Sequence, residues 1–214
     1  MSPLAHPLKL RTLQAALCVC MGAALLANHA HAQSVPTIGA TSIIANGAAA
    51  GVTGAFAVNE TAGLNNAQAN QITVSNGGMA GNDNASVQSA AVAAKVASAR
   101  ASIEANAFSN SSGAVLVNQS AGAGNLQRNS TQLGTAALGV ETVADGELSA
   151  TAAKNGGLGQ SAGIHSVREA TISDDAFRNI SGIVQINQTA GAGNATANSF
   201  VLRPPAGTFL TDQP

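Results

Sequence analysis

Tryptophan and tyrosine are missing from the 214-residue chain, and phenylalanine occurs only five times. Without rings there is no platform on which nucleobases could stack, and no basic cluster supplies the other half of a nucleic-acid footprint. No nucleic-acid partner is therefore expected. Charge is scarce too, with nine Lys/Arg against ten Asp/Glu. Disordered chains usually carry more. From Gln33 onward, Leu, Ile, Val and Phe number 38, about a fifth of that stretch. The remainder is mostly Ala, Gly, Ser, Thr, Asn and Gln, whose small side chains bury little area each, so a conventional close-packed core is not expected. The two cysteines, Cys18 and Cys20, both precede Gln33, so no disulfide staples the rest. His165 is the one histidine after Gln33, in a Gly-rich stretch with Asp174 and Asp175 further on. Nucleophile elbow, phosphate loop and metal-spaced ligand set are all lacking. The expectation is no enzyme: no catalytic residue, no metal and no cofactor, with His165 a solvated linker residue.

The longest apolar run stands at the N-terminus. Lys9 and Arg11 precede Leu13–Ala27, and Ala30-His31-Ala32 follows as a small-x-small cleavage site. This pattern reads as a secretory signal peptide over residues 1–32, with a mature chain beginning at Gln33. The run is too short and wrongly flanked for a transmembrane anchor. A secreted chain with no membrane insertion of its mature part is expected.

What is present is repetition. Three stretches share G-x-[FV]-x-[VI]-N-[EQ]-[ST]-A-G-x-[GN]-N-x-x-x-N: Gly54–Asn70, Gly113–Asn129 and Gly182–Asn198. The last two copies extend upstream. Ala101–Ser130 and Ala170–Ser199 are identical at 17 of 30 positions. Intervals differ, 59 residues from Asn59 to Asn118 and 69 from Asn118 to Asn187. The segments are an N-terminal stretch at 33–53, repeats at 54–74, 101–130 and 170–202, an Ala-rich linker at 75–100, a Gly/Ala-rich linker at 131–169, and a tail at 203–214. Gly77–Asp83, "GGMAGND", reads as a turn rather than a calcium loop.

Each unit reads as strand, turn, strand, turn, strand. In "GIVQIN" the side chains of Val184 and Ile186 fall on one face and those of Ile183, Gln185 and Asn187 on the other. No single unit has enough apolar face to fold, and stacking units on one another would bury it. Like residues then form columns: Phe56, Val115 and Val184; Val58, Val117 and Ile186; Asn59, Asn118 and Asn187; Glu60, Gln119 and Gln188; and Asn66, Asn125 and Asn194. Amides both donate and accept, so amide columns can satisfy themselves. The expected fold is all-β, a stack of imperfect repeats as in a β-solenoid or cross-β fibre. Ser86–Ala107 has helix propensity, and either a helix or a further strand fits it. The linkers are expected to loop outside the stack or to add rungs of their own.

The G-x-V-x-V-N-x-x-A-G-x-x-N-x-x-x-N pattern resembles the imperfect repeats of Fap-type functional amyloid proteins, which build biofilm fibres on bacterial surfaces. Three such repeats after a signal peptide look most like the short, nucleating subunit of that system. Curli subunits match less well, with shorter spacing and linkers. The resemblance implies export through an outer-membrane pore, extracellular cross-β self-association from an unfolded monomer, and a homologous major subunit as partner. It places Asn59, Asn118, Asn187, Asn66, Asn125 and Asn194 on the family's repeated Asn positions. It also implies a closing Cys-x-x-Cys, which this sequence does not contain. The alternative reading is a monomeric β-solenoid adhesin that binds a partner without polymerising.

Overall fold

Alternation of small and branched side chains drives this chain into strands, and repetition decides which strands meet. The computed structural model describes residues 35–77, 80–92, 94–136, 140–143, 146–152 and 166–203. The signal segment, His165 and the tail beyond Arg203 lie outside them. Among the described residues thirteen strands run in order: β1 (Thr37–Ile44), β2 (Thr53–Leu64), β3 (Ala67–Gly77), β4 (Ala80–Asp83), β5 (Ser86–Val92), β6 (Lys95–Ile103), β7 (Ser112–Ala123), β8 (Leu126–Ala136), β9 (Val140–Val143), β10 (Gly146–Ala152), β11 (Val167–Ile172), β12 (Ser181–Ala192) and β13 (Ala195–Leu202). The described residues contain no helix.

Every sheet is parallel and joins equivalent strands of successive repeats: β1-β6-β11, β2-β7-β12, β3-β8-β13, β4-β9 and β5-β10. The chain therefore winds through three rungs, β1–β5, β6–β10 and β11–β13. The all-β stacked-repeat architecture expected from the sequence is what the structure has.

Burial follows position in the stack. The β2-β7-β12 sheet lies between the other two three-stranded sheets, so β7 is enclosed on both faces and from both neighbouring rungs. Leu116, Val117, Asn118, Gln119 and Ser120 have no exposed surface. One apolar cluster joins Ile44, Ile103, Ala107, Phe108, Val115 and Val117, flanked by Phe56, Val58, Phe177 and Ile186. A second consists largely of alanines, among them Ala40, Ala99, Ala101, Ala121 and Ala123. Small residues do make a core here, because layers of parallel backbone supply close contact that large side chains supply elsewhere.

A corner of eight residues links the first two strands of each rung, at 45–52, 104–111 and 173–180. It turns by placing alternate residues in left-handed conformation: Gly47, Ala49 and Gly51, then Asn106, Phe108 and Asn110, then Phe177 and Asn179. Gly and Asn tolerate that region; phenylalanine does not, and φ of 59° at Phe108 and 58° at Phe177 is strained. Packing offsets the strain. Phe108 is almost wholly buried, and its ring stacks on Phe177 with centroids 4.9 Å apart. In the first rung Ala49 takes this place, and Phe56, where the other rungs have Val115 and Val184, turns its ring toward Phe108 at 6.2 Å.

The described parts of the linkers neither loop outside nor form rungs of their own. They supply β4, β5, β9 and β10, which extend the first two rungs in their own layers. The register offset is 59 residues from Gly39↔Ser98 through Gly77↔Ala136, 60 from Ala80↔Val140 to Val92↔Ala152, and 69 from Ser98↔Val167. The longer second interval thus adds one residue before β9 and nine after β10. The helix alternative for Ser86–Ala107 is not adopted. Burial alternates at period two, with Gln88, Ala90 and Val92 of β5 and Ala99, Ala101 and Ile103 of β6 inward and Val87, Ser89, Ala91 and Arg100 outward. Nor is Gly77–Asp83 wholly a turn, since Ala80–Asp83 is strand β4.

Candidate functional site

The structure brings each proposed column into register. Phe56, Val115 and Val184 align, as do Val58, Val117 and Ile186; Asn59, Asn118 and Asn187; and Glu60, Gln119 and Gln188. β2, β7 and β12 point the first, second and fourth of these columns at the β1-β6-β11 sheet. The third points at β3-β8-β13. Asn66, Asn125 and Asn194 sit at the corners between the second and third strands of each rung.

Asn118 Nδ2 donates to Asn59 Oδ1 at 2.9 Å, and Asn187 Nδ2 donates to Asn118 Oδ1 at 3.0 Å. A second column, Asn70, Asn129 and Asn198, faces this one. Asn129 Nδ2 donates to Asn70 Oδ1 at 2.9 Å, and Asn198 Nδ2 to Asn129 Oδ1 at 3.0 Å. The two columns interlock, since Asn118 Nδ2 also reaches Asn70 Oδ1 at 3.0 Å and Asn129 Nδ2 reaches Asn118 Oδ1 at 3.0 Å. Backbone carbonyls also accept from these nitrogens, Ala69 from Asn118 and Val117 from Asn129, so each amide's two protons are shared among three acceptors. Asn118, Asn129 and Asn187 are thereby buried with their amide groups hydrogen-bonded, the condition under which buried polar networks stabilise a fold, while Asn59, Asn70 and Asn198 on the end rungs keep some exposure. The second column was not among the residues singled out from the sequence. Its signal was present all the same, as the closing Asn of the N-x-x-x-N pattern.

The corner asparagines form their own ladder. Asn125 Nδ2 donates to Asn66 Oδ1 at 2.9 Å, and Asn194 Nδ2 to Asn125 Oδ1 at 2.7 Å. Gln188 Nε2 donates to Gln119 Oε1 at 2.9 Å and to the Thr171 carbonyl at 2.8 Å, which ties β12 to the facing sheet. At the head of that column, Glu60 accepts a hydrogen bond from Ser42 Oγ at 2.9 Å.

Glycine fixes the layer spacing at two columns. Gly122 has φ of 124°, and a Cβ there would lie 1.8 Å from the Gly191 carbonyl oxygen. Gly63 meets Gly122 in the same way, and Gly182 would meet Gly113 at 2.0 Å. The repeated Ala-Gly of the motif is therefore a requirement of close backbone approach.

The columns have no chemistry beyond hydrogen bonding and apolar contact. Among the described residues no three His, Cys, Asp or Glu side chains gather to hold a metal ion. What the arrangement offers is repetition with two free ends. Among the described residues the first rung leaves one edge of β1, β2 and β3 open, and the third rung leaves the opposite edge of β11, β12 and β13 open. Each open edge carries backbone donors and acceptors together with one end of every amide column.

A family model described as the functional amyloid protein FapB/FapC family matches residues 23–205. No solved structure matches the chain.

Proposed function

The chain belongs to the functional amyloid protein FapB/FapC family, and from that premise we propose that it is a secreted, fibre-forming or fibre-nucleating subunit of an extracellular amyloid acting in biofilm and adhesion. The observation that carries this reading is the pair of open ends. In-register parallel edges left unpaired are templates for further strands. Here each edge repeats the pattern the chain already uses internally. The third rung of one copy would receive the first rung of the next, with Asn187 meeting Asn59, Asn198 meeting Asn70, and Asn194 meeting Asn66. Phe177, half-buried at one end, would face the space that Ala49 leaves at the other. The stacking role of the columns, from Phe56, Val58 and Asn59 through Val184, Ile186, Asn187, Gln188 and Asn194, is part of this proposal.

Export through an outer-membrane pore, an unfolded state after export and a homologous major subunit as partner belong to the same reading. The role is structural rather than catalytic. A monomeric solenoid adhesin needs the same columns but not the open ends. The purified chain from Gln33 onward separates the two. A lag followed by detergent-resistant, thioflavin-positive fibres, shortened by seeding, is the expected result. A compact monomer with one cooperative melt and no fibres at any concentration would replace the fibre with the adhesin.

A further inference from the structure

The sheets β1-β6-β11 and β2-β7-β12 face each other, and the positions pointing between them are nearly all apolar or amide. Two charged residues break the rule, one on each end rung. Glu60 heads the column it shares with Gln119 and Gln188. Arg168 ends the column of Ala40 and Ala99, both buried.

These two columns are neighbours across the sheet interface. Glu60 contacts Ser42 through its side chain, and Gln188 Nε2 reaches the Ala101 carbonyl at 3.3 Å, so the Glu60 column faces the column of Ser42, Ala101 and Ala170. Arg168 stands two residues before Ala170 on β11, about 6.6 Å along the strand. Its side chain lies over the outer end of the third rung. A Cβ built on Gly191 would be 3.3 Å from Arg168 Cδ, and Nη1 donates to Ser166 Oγ at 3.3 Å.

Neither charge has an ionic partner among the described residues; Arg100 pairs with Glu169 and Arg178 with Asp175. The strands packed against β2, namely β1, β3 and β7, carry no charged side chain. Glu60 is provided for locally by Ser42, where the other rungs have alanine.

Resting on the head-to-tail stacking of the preceding subsection, we propose that Arg168 of one copy pairs with Glu60 of the next, and that this ion pair sets the polarity and register of the junction. Placing a first rung over a third rung brings Glu60 one layer, about 4.8 Å, above Gln188, with Arg168 in the adjoining column. A lone charge enclosed at the junction costs far more than an enclosed opposite pair. The reversed arrangements join first rung to first rung, or third to third. They bring Glu60 toward Glu60, or Arg168 toward Arg168. A register slip separates the pair and leaves each charge covered without a partner.

Charge reversal tests this with seeded elongation of the chain from Gln33 onward. Arg168→Glu and Glu60→Arg, each alone, are expected to slow elongation on their own seeds at least about tenfold, the factor that about 1.4 kcal/mol represents. The double variant, Glu60→Arg with Arg168→Glu, is expected to regain most of the wild-type rate on its own seeds. It is also expected to cross-seed poorly with wild type in both directions, because every mixed junction sets like charges together. Lys95→Glu, an exposed position on the central rung, changes net charge equally and is expected to leave the rate unaltered. Single reversals that elongate at the wild-type rate, or a double variant no faster than the singles, would overturn the pair. Those results leave wild-type fibres intact and so leave the fibre reading standing. Absence of wild-type fibres overturns both.

Discussion

Lysine at Val117 and Ile186 together is expected to abolish assembly. Val117 has no exposed surface and lies in the cluster of Ile44, Ile103, Phe108 and Val115, and Ile186 sits directly on it in the next rung. Removing two such side chains from apolar surroundings forfeits about 1.5–3 kcal/mol each by transfer alone. The replacement puts two ammonium groups in one column a layer apart, where like charges repel and burial raises the penalty. Against a typical net stability of about 5–15 kcal/mol for a whole domain, the sum is large. In a fibre it recurs in every copy. Thioflavin-positive yield after prolonged incubation should fall to background, and the variant should fail to seed wild type. Ile43→Lys, on the outward face of β1 at 48 % exposure, is the matched control and should assemble normally. Fibres of the double-lysine variant at wild-type yield would mean that this column does not stack.

A single methyl group at Gly122 is expected to be nearly as damaging. The Cβ of Gly122→Ala would fall 1.8 Å from the Gly191 carbonyl oxygen, and a φ of 124° is one that alanine rarely adopts. The conformational strain alone is about 1–3 kcal/mol, and the steric conflict adds to it by forcing the second and third rungs apart. Gly191→Ala separates strain from stacking. Its φ is 140°, yet its Cβ would meet only side chains, Arg168 at 3.3 Å and Asn194 at 3.5 Å, because no rung follows it among the described residues. In a head-to-tail fibre that Cβ would press on the first rung of the next copy. Gly122→Ala should therefore lose the β-sheet circular-dichroism signature at every concentration, while Gly191→Ala should chiefly lose seeded elongation. Equal and mild effects at both positions would contradict the close approach of backbones.

The second and third repeats were legible because their matched segments have the same length and the same residues where layers touch. Nothing had to be known of the corner to align Asn118 with Asn187. The first repeat was legible only from Gly54. Its earlier strand, β1, lies in register with β6, yet "SIIANGAAAG" shares little with "ASIEANAFSN". The physical demand there is weak in residue type. It asks for inward side chains of modest size at Ser42 and Ile44, and for left-handed backbone at alternate corner positions, which Gly47 and Gly51 meet as well as Asn106 and Asn110. The linker strands were hidden for a related reason. β5 and β10 pair over seven residues with Ser89↔Ser149 and Ala90↔Ala150 as the only identities. An edge strand added to an existing layer needs only backbone pairing and alternation. Helix propensity in "SAAVAAKVASA" is local and slight, and the ladder offered by the neighbouring rung outweighs it. Glu60 and Arg168 could be placed in columns from sequence once the register was fixed. That their columns adjoin across two facing sheets could not, since it depends on how the corner folds β1 against β2.

Mass per unit length of isolated wild-type fibres tests the central claim most directly. Three rungs per copy, stacked head to tail at about 4.8 Å a layer, advance the fibre by about 14 Å per chain. Scanning transmission electron microscopy of unstained filaments should therefore give one chain per about 14 Å for a single protofilament, and whole multiples of that mass for bundles. One chain per about 4.8 Å, as for a molecule lying flat in a single layer, would contradict the three-rung stack.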